Sequence, residues 1–472
     1  MGNLKELQEQ LTHEYKNVWG EIDEAETKLV MDFSIGYKTF LDVGKTEREC
    51  ALEIQRMAIE NGYVDYKSLV EKNEPLKAGT KVYAMNKDKA ICLFIIGEES
   101  IEKGMNVIGS HIDAPRIDLK PVPLYESSEM AFLKTHYYGG IKKYQWTSTP
   151  LALHGVIVTK EGKKVNVVIG EDDNDPVMFI TDILPHLAKD QYAKKIGEAI
   201  GGEDLNVLIG SIPCGDKDTK DKFKFNVLRL LNEKYNVTEA DLVTAELEIV
   251  PAGKARDVGL DRGLVAAYGQ DDRVCAYSSL IALFEIEAPK KTAVGMFMDK
   301  EEVGSQGNTG SQSSFFNDVV AELINLQVDN YSDIYMRRAM GNTKVLSADV
   351  GAAYDPNYAG AYEKLNSGYV GKGLQIVKYT GSRGKGGCND ANAEFVAEVR
   401  NIFDENQVIW QTGELGKVDQ GGGGTIAYLL ANQNAEVVDC GVPVLCMHGT
   451  YEVISKADLY MAYKGYKAFY KY

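Results

Sequence analysis

Two adjacent carboxylates lie in the stretch Met298-Asp299-Lys300-Glu301-Glu302-Val303-Gly304-Ser305. The residues just before it, 292–297, form an apolar run with the length of a buried strand, so the pair follows the point where a strand opens into a loop. A loop there can turn both side chains toward one cleft, where one carboxylate could hold a metal ion and the other could take a proton from water. A solvated surface turn is the ordinary alternative.

Composition and charge exclude several classes of protein. With 472 residues, of which 44% are hydrophobic and 26% charged, the chain has the make-up of a globular protein and not of a disordered or fibrous one. The net charge of −17 argues against nucleic acid or an anionic membrane as a partner, because both carry the same sign of charge. No run of residues reaches the roughly 18 apolar positions that a membrane span needs.

The N-terminal residues and the cysteines predict a cytoplasmic protein. Residues 1–6 contain no apolar segment of the kind that begins a secretory signal. The seven cysteines are scattered and include no Cys-x-x-Cys pair. This pattern favours reduced thiols over a disulfide framework or a sulfur-ligated metal site.

The order of strand-like and helical patterns predicts an α/β fold. Apolar strands alternate with helices over most of the chain, which indicates a mixed, largely parallel sheet covered by helices. Between about 122 and 246 the pattern changes to short alternating strands, including a hairpin formed by 154–159 and 165–169. We therefore predict a catalytic domain made of residues 1–121 and 247–472, with an inserted β-rich domain at 122–246.

Residues of metal-ligand type follow five separate strand-like or loop segments. They are His111, Asp271, the pair Glu301 and Glu302, Asp349, and His448. Ligands of an open α/β sheet bind off the carboxyl ends of its strands, so these side chains could meet at one edge. Two histidines and three carboxylates suit a pair of zinc-type cations, with one carboxylate bridging and a position left for water. Taken singly, His111 could equally be a hydrogen-bonded core histidine and Asp271 a helix cap.

Five motifs carry a family resemblance. In chain order they are His111-Ile112-Asp113-Ala114-Pro115, Asp271-Asp272-Arg273, Asp299-Lys300-Glu301-Glu302-Val303-Gly304-Ser305, Ser347-Ala348-Asp349 and Met447-His448. In these motifs the chain resembles the M18 family of metalloaminopeptidases, which includes aspartyl aminopeptidase and vacuolar aminopeptidase I. The similarity extends over nearly the whole chain, and the glutamate pair followed by Val-Gly-Ser is its most specific part.

The resemblance implies a dizinc exopeptidase fold and a role for each motif residue. The zinc ligands would form two overlapping sets, His111, Asp271 and Asp349 for one ion and Asp271, Glu302 and His448 for the other. Asp113 would orient a ligand histidine through its second ring nitrogen. Glu301 would be the general base that takes a proton from the water bridging the metals.

The resemblance also implies cofactors, substrates and assembly. Each subunit would hold two Zn2+ ions, for which Co2+ or Mn2+ can substitute. The substrates would be short peptides that lose their N-terminal residue. The inserted domain would build a homo-oligomer, a tetrahedral dodecamer whose active sites face an inner chamber.

Two places depart from the family pattern. The resemblance implies that a histidine of the inserted domain, His186 here, contributes to substrate binding in a neighbouring subunit's active site. Family members usually carry a second histidine four residues later, where this chain has Asp190. A basic residue for acidic substrate side chains would come from Lys385 or Arg383, but their glycine-rich segment could equally be a mobile surface loop. The sequence therefore leaves open whether the preferred N-terminal residue is acidic (Asp or Glu) or neutral.

Two other functions would use the same residues. A dinuclear metal deacylase or carboxypeptidase could be built on the same five ligands and glutamate pair. A non-catalytic assembly protein is the alternative from another class. The presence of Glu301 argues against it, because such a protein has no use for a carboxylate that binds no metal.

Overall fold

A computed structural model describes residues 2–472. The helices of that range are α1 (Gly2–Leu11), α2 (Val18–Glu21), α3 (Glu24–Val43), α4 (Glu47–Glu60), α5 (Tyr66–Lys72), α6 (Lys189–Tyr192), α7 (Ile196–Ala199), α8 (Lys222–Tyr235), α9 (Gln270–Phe284), α10 (Phe315–Asn325), α11 (Asp333–Gly341), α12 (Ala393–Glu405), α13 (Ala427–Ala431) and α14 (Lys456–Lys471). In this part of the chain no helix combines the length and the apolar character needed to cross a bilayer.

The strands divide between two main sheets and two small ones. They are β1 (Val64–Asp65), β2 (Lys81–Asn86), β3 (Ala90–Ile95), β4 (Met105–His111), β5 (Arg116–Ser127), β6 (Met130–Tyr138), β7 (Pro150–Val158), β8 (Lys164–Ile169), β9 (Met178–Phe179), β10 (Val207–Gly210), β11 (Ala245–Pro251), β12 (Arg256–Val258), β13 (Leu264–Ala267), β14 (Thr292–Met298), β15 (Lys344–Ser347), β16 (Gly351–Ala352), β17 (Leu374–Val377), β18 (Trp410–Thr412), β19 (Glu436–Gly441), β20 (Pro443–Val444) and β21 (Glu452–Ser455).

The central sheet has nine strands in the order β1-β2-β3-β14-β4-β15-β19-β17-β18. The four middle strands, β14, β4, β15 and β19, run parallel to one another. Strand β3 is antiparallel to β14, and β17 is antiparallel to β19. The predicted mixed and largely parallel sheet is therefore confirmed. Because β4, β14 and β15 are parallel, their carboxyl ends lie at one edge of the sheet.

Helices cover both faces of this sheet. Along β14, Ala293 and Phe297 contribute to one buried core and Val294 and Met296 to the other, as expected when successive side chains of a strand point to opposite faces. The first core packs against α3, α4, α9, α12 and α14, and the second against α5, α10, α11 and α13. Burial on both faces explains why the central strands read as continuous apolar runs.

The second sheet has seven strands in the order β11-β5-β6-β10-β9-β7-β8. Strand β11 also pairs antiparallel with β7, which closes six of these strands into a small barrel. The sheet has its own apolar core, and its strands run from Arg116 to Pro251, a few residues beyond each end of the predicted insertion. The division at 122 and 246 stays a prediction.

Candidate active site

The neighbouring strands β4 and β14 place a histidine beside the glutamate pair. His111 ends β4 and lies opposite Met298, which ends β14. Lys300 adopts the left-handed backbone conformation, with φ of 69°, and so turns the chain into the short helix that begins at Glu301. The predicted step from strand to loop thus brings both glutamates over the carboxyl end of β4.

The other ligand-type residues reach the same edge from three further segments. Asp271 enters α9 with a non-helical backbone, and Asp349 follows β15 after a single intervening residue, Ala348. His448 lies in the turn between β20 and β21, with φ of 62°. Five distant parts of the sequence therefore converge at one place.

Asp271 lies between the two histidines. Its Oδ1 is 3.1 Å from Nε2 of His111, and its Oδ2 is 3.2 Å from Nε2 of His448. The side chain is almost completely buried and borders the cavity over the cluster. One carboxylate facing two imidazole nitrogens in this way is suited to bridging two metal ions.

The remaining carboxylates complete the cluster. Nε2 of His448 is 3.3 Å from Oε2 of Glu302, and Nε2 of His111 is 3.9 Å from an oxygen of both Asp349 and Glu301. Ligand atoms of His111, Asp271 and Glu302 all lie within 4.8 Å of one another, which leaves room for a shared cation. His111, Asp349 and Asp272, whose role the sequence did not suggest, form a second group of this kind.

The charges of the cluster fit divalent cations. Burial and the neighbouring charge of Asp271 raise the pKa of Glu302 well above its usual value, and burial and Glu301 do the same for Asp349. Oε1 of Glu302 is also buried without a hydrogen-bond partner. A group of buried carboxylates that two histidines cannot neutralise, with an orphaned oxygen, is a donor set of the zinc type.

Asp113 organises the backbone and the histidine around the glutamate pair. Its carboxylate accepts hydrogen bonds from the N–H of Glu301 at 3.1 Å and of Glu302 at 3.2 Å. Its Oδ1 is also 3.3 Å from Nδ1 of His111, and its backbone carbonyl is 3.0 Å from the same nitrogen. Both partners of Nδ1 are acceptors, so that nitrogen carries the proton and leaves the Nε2 lone pair directed at the cluster.

Glu301 differs from the other acidic residues in what it contacts. Its side chain is 17% exposed, lines the cavity, and is no closer than 3.9 Å to a ring nitrogen. Burial, followed by the charges of Asp113 and Asp271, raises the pKa of Glu301 to about 7 although the two histidines oppose the shift. A carboxylate with these properties can take up and return a proton near neutral pH.

A cavity of about 690 Å3 opens over the cluster. Apolar side chains line part of its wall, namely Val350, Val377, Leu415 and Met447, and the glycines 422–424 line another part. This volume is in the range of small-ligand sites and could take the end of a peptide.

The three residues predicted to bind substrate lie outside the lining of this cavity. Nζ of Lys385 is 2.9 Å from a carboxylate oxygen of Asp390 and 3.8 Å from the centre of the Tyr379 ring. Arg383 lies in the same loop with a left-handed backbone, and His186 is exposed in a short helix of the second sheet's domain. Their role in binding substrate stays a prediction.

Sequence reasoning assigned no role to two supporting residues. Glu452 is buried, and its carboxylate accepts the N–H of His448 at 2.7 Å and the N–H of Asp271 at 2.9 Å. The hydroxyl of Tyr138, in the second sheet, donates to Asp113 at 2.8 Å. The available signals were the short spacing of Glu452 from His448 and the family similarity at Tyr138-Gly139-Gly140. Neither signal predicts the contact of Glu452 with Asp271 or of Tyr138 with Asp113.

Comparisons with known proteins agree with this geometry. Residues 40–470 match the family model described as aminopeptidase I zinc metalloprotease (M18). A probable M18 family aminopeptidase 1 from Clostridium acetobutylicum is 54% identical over 459 residues, which cover 97% of this chain and 98% of that protein.

Solved structures show the same fold. The crystal structure of an M18 family aminopeptidase from Thermotoga maritima superimposes with a TM-score of 0.93 at 43% identity, covering 98% of this chain and 100% of the other. The fold is also similar to that of the S. cerevisiae mApe1 dodecamer, with a TM-score of 0.75 at 20% identity and coverage of 93% and 97%.

Proposed function

Since the chain belongs to the M18 family of zinc aminopeptidases, we propose that it removes N-terminal residues from short peptides with two zinc ions bound at the cluster around Asp271. The observation that carries this proposal is the placement of the two Asp271 oxygens, 3.1 Å from one histidine and 3.2 Å from the other. A single-metal site would not need a carboxylate directed at two imidazoles.

The proposed ligands form two sets that share Asp271. One ion would be held by His111, Asp271 and Asp349, and the other by Asp271, Glu302 and His448. Zinc is the expected metal, and Co2+ or Mn2+ can take its place, since carboxylate and imidazole donors accept all three. When bound, the ions would supply Lewis-acid polarisation of the substrate carbonyl and positive charge to balance the acidic cluster.

Glu301 is proposed as the general base. It would take a proton from the water whose oxygen bonds to the carbonyl carbon of the first peptide bond. As the C–N bond breaks, the same carboxyl would give a proton to the departing amine, so that the group ends as it began. Asp113 supports this role because it fixes the backbone N–H groups of both glutamates.

A neutral N-terminal side chain is the proposed preference. Among the described residues that line the cavity there is no lysine or arginine, and its wall includes Val350, Val377 and Met447. An acidic side chain would enter a site already rich in carboxylates, and would need Lys385 or Arg383 to leave its present position. Leu or Met at the N-terminus should therefore be cleaved faster than Asp or Glu.

The proposed assembly is a homo-oligomer, and a tetrahedral dodecamer is its most specific form. A yeast protein with the same fold is named as a dodecamer. The segment around the second sheet carries large apolar side chains that are about two-thirds or more exposed in the single chain, namely Val122, Leu187, Tyr192, Ile196 and Ile212. Light scattering should give a mass near 625 kDa, twelve times the 52.1 kDa chain. We also propose the cytoplasm as its compartment, supported by seven free cysteines.

A panel of amino-acid p-nitroanilides and short peptides tests the reaction. Each substrate is offered with a free and with an acetylated N-terminus to protein loaded with Zn2+, Co2+ or Mn2+. Cleavage of free N-termini alone is expected. Cleavage of acetylated substrates would indicate a deacylase, release from the C-terminus a carboxypeptidase, and inactivity of the metal-loaded protein on every substrate a non-catalytic assembly role.

A further inference from the structure

The end of strand β6 is the point at which the second sheet reaches the catalytic cluster. The last residue of β6 is Tyr138, and Gly139 and Gly140 follow it. The hydroxyl of Tyr138 donates to Oδ2 of Asp113 at 2.8 Å. Two residues later, the carbonyl of Gly140 lies 2.9 Å from Nδ1 of His448. One short segment therefore contacts both halves of the cluster.

From these contacts we propose that Tyr138 is a positioning residue, which acts on the reaction by holding Asp113 and through it the glutamate pair and His111. The proposal rests on the function proposed above, because it concerns the same centre. It adds a residue from the second sheet to the set that determines the geometry of the metal ligands and the base.

Asp113 depends on Tyr138 for one of its few donors. Its buried carboxylate faces four donors: the Tyr138 hydroxyl, the N–H groups of Glu301 and Glu302, and Nδ1 of His111. Oδ2 has only the hydroxyl at 2.8 Å and the N–H of Glu302 at 3.2 Å. Hydrogen bonds to an ionised acceptor are among the stronger ones, so removal of the phenol would leave Oδ2 held by the longer bond alone.

The phenol ring of Tyr138 packs against the guanidinium group of Arg116. The guanidinium carbon of Arg116 is 3.9 Å from the ring centre of Tyr138, and the two residues are paired across β5 and β6. Three carboxylates hold the guanidinium in place, at 2.8 Å for Asp118, 3.1 Å for Glu248 and 3.2 Å for Glu47. A cation over the ring face draws electron density from it, which favours donation by the hydroxyl.

The glycines after Tyr138 place the backbone within van der Waals reach of the cluster. A Cβ atom at Gly139 would lie 3.4 Å from Cβ of Glu302, and one at Gly140 would lie 3.4 Å from Nδ1 of His448. Gly139 also has φ of 72°, which a residue with a side chain adopts at a cost. The backbone can therefore approach both ligands while the Tyr138 hydroxyl reaches Asp113.

The test compares Tyr138→Phe with Tyr137→Phe. Each variant loses one hydroxyl from the same strand, but Tyr137 is 41% exposed, and as the neighbour of Tyr138 in β6 its side chain points to the other face of the sheet. Zinc affinity is measured by competition with a chelator, and kcat and KM are measured on the preferred p-nitroanilide. Tyr138→Phe should lose about 10- to 100-fold in zinc affinity or kcat, the usual effect of losing a group that orients a ligand, with KM within about twofold. Tyr137→Phe should match the unmodified protein.

A double-mutant cycle tests whether Tyr138 acts through Asp113. If Tyr138 acts through Asp113, then Asp113→Asn combined with Tyr138→Phe should cost no more than Asp113→Asn alone. Multiplying losses would overturn the proposal, and so would a Tyr138→Phe protein whose zinc affinity and kcat are unchanged. If the unmodified protein cleaves no peptide, the proposed function fails, but the zinc affinities of the two tyrosine variants still decide the role of Tyr138.

Discussion

Replacement of Glu452 by glutamine should weaken zinc binding, although Glu452 is not itself a proposed ligand. Its two oxygens accept the backbone N–H groups of His448 and Asp271, at 2.7 and 2.9 Å, and only 1% of the residue is exposed. Glutamine has nearly the same shape but a single acceptor oxygen, so its NH2 group must face one of the two N–H groups. The variant thus breaks one contact and leaves the packing intact.

The expected size follows from the group that loses its partner. A buried N–H left without an acceptor costs about 1–3 kcal/mol. If this cost raises the free energy of the zinc-bound protein relative to the zinc-free protein, the dissociation constant of zinc rises about 5- to 150-fold, because each 1.4 kcal/mol is a factor of about ten. The two ligands affected belong to the same proposed metal set, so the ion held by Glu302 and His448 should be the weaker one.

Chelator competition measures the two zinc affinities, and the thermal midpoint of the zinc-free protein reports on folding. Glu398→Gln is the matched control, because Glu398 is a partly buried glutamate that pairs with Lys344, the first residue of β15, whereas Asp349 of the cluster follows the other end of that strand. A Glu452→Gln protein with both zinc affinities within twofold of the unmodified protein would refute the positioning role. Equal losses in Glu398→Gln would show that any such change has this effect.

Other predictions follow from the same geometry. Glu301→Gln should lose at least about 100-fold in kcat while it retains both zinc ions by elemental analysis, because the base binds no metal; loss of an ion would mean that the roles of Glu301 and Glu302 are exchanged. Removal of zinc by a chelator should lower the thermal midpoint and its return should restore it, because a ligand that binds only the folded state stabilises that state; an unchanged midpoint would contradict a site formed by the fold. Leu346 lies in a strand and is fully buried, so Leu346→Ala should lower the free energy of unfolding in denaturant by about 2–5 kcal/mol. Leu365 is 85% exposed, so Leu365→Ala should change that free energy by less than about 0.5 kcal/mol. Equal effects of the two variants would contradict the assigned core. Burial alone would lower the pKa of His154, but its hydrogen bonds to Glu171 and Glu49 outweigh burial, so the pKa is raised. Lys45 is the neighbouring cation and pairs with Glu171. The contribution of His154 to stability is therefore present below the unfolded pKa of about 6.5 and lost as the pH rises through the folded value, so His154→Gln should lower the thermal midpoint more at pH 6 than at pH 9; a larger effect at pH 9 would reverse the sign of this reasoning.

The central sheet was predictable because its strands are buried on both faces. A run such as 292–297 leaves few alternatives to a strand. Thr46 and Glu49 have the spacing of a capping box, a pattern that predicts the start of a helix, and the helix begins at Glu47. The spacing of Leu4, Leu7, Leu11 and Tyr15 predicts a helix as far as Tyr15, but the first helix ends at Leu11. The Tyr15 hydroxyl instead pairs with Thr412. Closure of the barrel by β11 and β7 was also absent from the prediction, since pairing between strands distant in sequence leaves no local pattern.

The proposed ligands and the residues that support them differ in how visible they are in a sequence. The chain has six histidines, so two of them after strand-like runs and beside acidic residues form a pattern that chance rarely gives. It has 27 tyrosines and 69 acidic residues, so residue type alone does not single out Tyr138 or Glu452. Their importance comes from hydrogen bonds. Glu452 accepts backbone N–H groups, which nearly every residue type offers, and Tyr138 donates to the carboxylate of Asp113. A search by residue type therefore finds the atoms that would bind the metals and misses those that hold them in position. Only a structure can locate the second group, and variants of Tyr138 and Glu452 test whether that group sets the zinc affinity.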